Sequence, residues 1–137
     1  MNLKIAMVII MVSITGCTRV TYTPQAAIGI AITESEVAPL VKREIQTRST
    51  SFGFTEESSV GNAEHFAKTN QFQETLRMKD GKSFIMMGNL IDARCIRLSV
   101  YSEYSEEDAH QVVARLIEAL ENVAGVNLQI MDNPDCK

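Results

Sequence analysis

Apolar and polar positions along the chain switch between two periods, and the switches mark the elements. Residues 27–32 read Ala-Ile-Gly-Ile-Ala-Ile, a large and small alternation that predicts a strand with Ile28, Ile30 and Ile32 on one face. Thr33 stands three before Glu36, the spacing of a capping box. Val37, Leu40, Val41 and Ile45 follow at helical intervals broken only by Glu44, which predicts a helix to about Arg48. A short second strand is expected over 49–55, with Phe52 and Phe54 on the same side and Gly53 weakening it. Residues 56–69 are polar and lack a sustained period, and read as a long loop with a helical turn. Segments 72–79 and 82–87 flank Asp80-Gly81, a dipeptide that supplies the positive φ angles of a two-residue hairpin turn. Gly88-Asn89 makes a second turn or bulge, and in 93–101 Ile96, Leu98 and Val100 alternate with Arg97, Ser99 and Tyr101. The three segments form a meander. Ser105, with Asp108 three residues on, opens a helix whose Ala109, Val112, Val113, Leu116, Ile117 and Leu120 make one apolar stripe. Gly125 ends it, and Val126, Leu128 and Ile130 alternate with Asn127 and Gln129 in a last strand before Pro134.

This order predicts an α+β fold: a two-layer sandwich with a mainly antiparallel sheet of five or six strands and two helices on one face. It resembles ferredoxin-like folds with an added hairpin. The 137 residues, 45% hydrophobic and 22% charged, suit one globular domain, taken as residues 25–137. No internal repeat or low-complexity tract interrupts it.

The first sixteen residues follow a different logic. Lys4 precedes an apolar stretch that starts at Ile5 and ends around Ile14, too short for the roughly 18 apolar residues a spanning helix needs but right for the roughly 7–15 of an export signal. Ile14-Thr15-Gly16-Cys17 then resembles the lipobox of bacterial lipoproteins. That resemblance, confined to about the first 17 residues, implies a diacylglyceryl group on the Cys17 sulfur, cleavage before Cys17 and acylation of the new amine. Residues 1–16 are then a signal peptide and 17–24 a lipidated tether. Two or three acyl chains hold a protein on a bilayer almost permanently. Thr18, where an Asp would favour inner-membrane retention, points to a periplasm-facing outer-membrane location.

Thirteen Lys and Arg against seventeen Asp and Glu give a net charge of −4 without a basic run, which argues against a nucleic-acid partner. Loss of residues 1–16 removes Lys4 and no acid, so the mature chain is more acidic still. Three cysteines leave one pair once Cys17 is lipidated, and an oxidising compartment favours a Cys95–Cys136 bridge over two buried thiols.

Candidate chemistry is sparse. His110 lies four after Glu106 and three after Glu107, and His65 follows Glu64, but no HExxH, CxxC or EF-loop pattern supplies a metal-ligand set. No GxSxG elbow surrounds a serine, and the glycines form no phosphate cradle. No cofactor and no metal are expected. Two features suggest contact with a protein instead. Glu106 and Glu107 belong to an acidic group at the start of the second long helix, which either complements the helix dipole or meets a basic partner. Phe84-Ile85-Met86-Met87 is apolar on both sides, so either Phe84 and Met86 or Ile85 and Met87 face away from the helices. That side is covered by the 56–69 loop or the N-terminal tail, or it is itself a partner or dimer surface.

The expected role is therefore a non-enzymatic, lipid-anchored envelope protein that binds a macromolecule, as an immunity protein, an inhibitor or an assembly factor. The alternative is a small periplasmic hydrolase or metal-dependent enzyme using His65 or His110 with nearby carboxylates. Intact-mass measurement of the membrane-extracted protein should show acyl chains on a polypeptide starting at Cys17, and Cys17→Ser should release or mislocalise it; a bare polypeptide mass would refute lipidation.

Overall fold

The computed structural model describes residues 23–60, 63–123 and 127–137. The signal segment, Cys17, most of the tether, Gly125 and Val126 lie outside the described residues. Six strands form one sheet: β1 (Ala26–Ile32), β2 (Phe54–Val60), β3 (Gln73–Met78), β4 (Ser83–Gly88), β5 (Cys95–Ser102) and β6 (Leu128–Met131). Three helices intervene: α1 (Ala38–Ser51), α2 (Ala63–Thr69) and α3 (Glu106–Glu121). The sheet order is β2-β3-β4-β5-β1-β6, with every neighbouring pair antiparallel. The connections β1-α1-β2 and β5-α3-β6 therefore both pass over intervening strands. The fold is an α+β sandwich with the long helices α1 and α3 packed against each other on one face.

The core lies between those helices and the sheet. Ile28, Ile30 and Ile32 of β1 point into it beside Ile96, Leu98 and Val100 of β5 and Ile85 and Met87 of β4. From above, α1 contributes Ala38, Val41 and Ile45, and α3 contributes Ala109, Val113, Leu116 and Leu120. The apolar stripe expected on α3 is the buried one, and Ser105 caps it, its Oγ accepting the Asp108 N–H at 3.1 Å.

Several boundaries differ from expectation for identifiable reasons. Thr33 does not cap α1; a 3-10 turn over Ser35–Val37 leads into it, with Pro39 in the first helical turn, where a missing N–H costs nothing. The helix does not stop near Arg48. Thr50 Oγ1 donates to Gln46 O at 2.8 Å and Ser51 Oγ to Arg48 O at 2.6 Å, so these hydroxyls bond back into the last turn. Gly53, at φ +94°, then ends the helix instead of weakening a strand. The second strand thus begins at Phe54. Residues 56–69 are not a loop but the rest of β2 followed by α2, giving three helices rather than two. β2 is an edge strand, bulged between Glu56 and Ser58, so its polar sequence suits a strand with one side of its ladder open. At the β3–β4 turn only Gly81 has positive φ, so Asp80 does not share that conformation. Asp80 instead accepts the Tyr104 hydroxyl and the Lys82 N–H, and these hydrogen bonds lower its carboxyl below the usual range. α3 ends at Glu121, before Gly125.

Cys95 and Cys136 are joined in a disulfide, with Cα atoms 5.9 Å apart and 41 residues between them in sequence. Closing a loop of that length in the unfolded chain accounts for about 4 kcal/mol in the chain-entropy model. Thiol counting on denatured, unreduced protein should find no free thiol at either position, and Cys136→Ser should lower unfolding stability by roughly 2–4 kcal/mol; two reactive thiols in the wild type would refute the bridge.

Candidate functional site

The face of the sheet turned away from the helices is built in rows set by strand register. One row is Arg77, Phe84 and Tyr101; the next is Thr75, Met86, Ser99 and Ala27; a third is Gln73, Gly88, Arg97, Gly29 and Met131. Phe84 and Tyr101 stack at 4.4 Å between centroids with 8° between planes, and the Arg77 guanidinium lies 4.6 Å from the Phe84 centroid. The first row is thus a continuous cation and aromatic stack across β3, β4 and β5, an arrangement favoured by the ring quadrupole.

The small half of the β1 alternation has its own purpose. Ala27, Gly29 and Ala31 face this open side, and the segment after β6 lies directly on them. A Cβ on Gly29 would come within 2.4 Å of Asn133 O and 2.9 Å of Cys136 Sγ. The disulfide to Cys95 and an ion pair between Arg97 and Asp135 hold this strap in place.

On the other side rises the loop from Asn89 to Arg94. Asn89, 1% exposed, anchors it: Oδ1 accepts the Phe72 N–H at 2.8 Å, and Nδ2 donates to Asn70 O at 2.8 Å and Ala93 O at 3.0 Å. With its base so held, the loop presents Leu90 and Ile91 to solvent, 45% and 84% exposed. Between strap and loop runs a groove of about 840 Å³, floored by Met86, Ser99 and Tyr101 and walled by Leu90, Ile91 and Pro134. Its volume falls among ligand and peptide sites, and its lining joins apolar surface to a few polar groups.

The structure resolves the two-sided strand. Ile85 and Met87 are 0% and 2% exposed beneath the helices, whereas Phe84 and Met86 are half-buried on the open face. Neither the 56–69 segment as a loop nor any described part of the tether covers that face; the strap does so over β1. Glu106 and Glu107 sit exposed at the start of α3, in the helix layer. They and the groove are on opposite sides of the sheet and form no single site. His110 Nε2 lies 3.5 Å from Glu106 Oε1 in an exposed pair, and His65 falls in α2 with its side chain outside the described residues. Among the described residues no group of three or more His, Cys, Asp or Glu could hold a metal ion, and no helix is long and apolar enough to cross a membrane.

Leu90, Ile91, Gly29 and the strap were not singled out from sequence. The row of small residues between isoleucines was the available signal, since an Ala-x-Gly-x-Ala face leaves room for a backbone to lie close. No family model matches the chain, and neither does any curated protein or solved structure.

Gly29→Ala should lift the strap, lowering stability by roughly 1–3 kcal/mol as overpacked sites do and making the disulfide easier to reduce. Denaturation and reduction-rate measurements check this; an unchanged variant would show that the strap does not bear on β1.

Proposed function

We propose that this is a non-enzymatic, lipid-anchored protein of the bacterial cell envelope, facing the periplasm from the outer membrane, whose open sheet face binds a protein partner. Immunity, inhibition and envelope assembly are the roles that fit such a module. The observation that carries the reading is the groove between strap and loop. Met86 on its floor and Leu90 and Ile91 on its wall leave apolar surface in water, while the sheet's other face is fully used by α1 and α3. Exposed apolar surface rimmed by polar groups marks interaction sites, and methionine adapts to varied contacts. The lipobox resemblance supplies the anchor, and the disulfide agrees with an oxidising compartment.

Two neighbouring substitutions separate binding from folding. Met86→Lys places a charge on the groove floor and should leave the fold and its melting transition near wild type while abolishing partner capture from envelope extract. Met87→Lys puts an unpaired charge into the core and should unfold the domain, since a buried unpaired charge costs several kcal/mol. Circular dichroism and pull-down read both variants. A Met86→Lys protein that folds and captures the same partner as wild type would exclude this face as the binding surface.

A further inference from the structure

Glu74 stands where its own strand calls for an apolar side chain. Phe72, Leu76 and Met78 share its side of the sheet, and Glu74 is 1% exposed beneath α1. Its Oε1 accepts the Gln46 side-chain amide. Its Oε2 has no hydrogen-bond partner, and the nearest cation, Lys42 Nζ of α1, stands 3.8 Å away. From β2 a second carboxyl, Glu56, comes within hydrogen-bonding reach. The charged groups facing Glu74 are thus Lys42 from α1 and Glu56 from β2; β4 presents Met87 directly opposite it.

Two carboxylates accept only, so they cannot bond to each other. One proton turns one of them into a donor and completes the contact. A lone cation at ion-pair distance and a single amide are thin compensation for a buried anion, whose desolvation is costly.

We propose that Glu74 and Glu56 form an acid-tightened latch: a proton held between them joins β2 and β3 beneath α1, and its release loosens that end of the sandwich. Burial, the largest influence, raises the Glu74 carboxyl above the ordinary carboxylate range; Glu56 pushes the same way, and Lys42 and Gln46 oppose. The sign follows from linkage. A carboxyl that binds its proton more tightly in the folded state than its ordinary value of 4.5 contributes stability that is complete below that value. That contribution is lost as pH rises through the folded value. Raising the pH past that point asks the seam to open and hydrate the new charge, and β2, an edge strand, is the element free to move.

The test is amide hydrogen exchange on the full chain between pH 5 and pH 8, corrected for the intrinsic rate, with direct titration of the Glu74 carboxyl by carbon-detected NMR. The opening equilibrium of α1, β2 and β3 amides should rise with pH, by up to about tenfold for each unit by which the folded Glu74 value exceeds 4.5. Glu74→Gln should flatten that dependence, and Glu56→Gln should move the Glu74 midpoint. A Glu74 midpoint at or below 4.5 in the wild type, which needs no variant to fold, would overturn the proposal. So would an unchanged pH slope in a folded Glu74→Gln protein.

Discussion

Strand β1 answers to two packing demands at once. On its helix side Ile28, Ile30 and Ile32 fill the space beneath α1 and α3, and that burial, roughly 1.5–3 kcal/mol for each isoleucine, holds the two layers together. On its other side it must be nearly bare, because backbone from beyond β6 lies against Gly29 at a distance no Cβ would tolerate. Both demands are met by one six-residue alternation. The strap, the disulfide and one wall of the groove all depend on the bare side.

The same division sorts the rest of the molecule. Under the helices the side chains are large, interlocked and closed to water. On the open face they lie flatter: a guanidinium and two rings stacked across three strands, a methionine, a serine. Asn89 links the two worlds, since its three hydrogen bonds fix the base of a loop whose tip carries Leu90 and Ile91. A rigid base under an apolar tip is the arrangement expected of a contact loop rather than of a mere connection.

Where periodicity was strong, the sequence was legible. The α3 stripe, the meander, the alternation of β1 and β5 and the cysteine pair all stand in the structure where the pattern puts them. The failures cluster at α1's end, β2 and α2, and share a cause. Hydroxyls at Thr50 and Ser51 return to the helix backbone, which composition alone does not disclose. β2 sits at a sheet edge, where neither hydrophobicity nor alternation is demanded of it. Glu74 was hidden by the opposite error: it reads as an ordinary polar residue until its strand's parity is counted, when it falls in line with Phe72, Leu76 and Met78. The groove was only half visible, because its floor is written in β4 and its walls come from segments with no period.

The placement of β1 in the sheet also sets a timetable. Its neighbours are β5 and β6, so Ala26 pairs with Val100 and Gly29 with Met131; no partner for its backbone lies in the first half of the chain. Pairings this distant in sequence form slowly, because loop-closure entropy is lost before any contact repays it. Until β5 and β6 have been synthesised, an isoleucine-rich strand has both edges open, a template for pairing with other chains. A polypeptide built this way gains from being kept extended until its last strand is available, and crossing a membrane unfolded, then folding on the far side, would give it that delay.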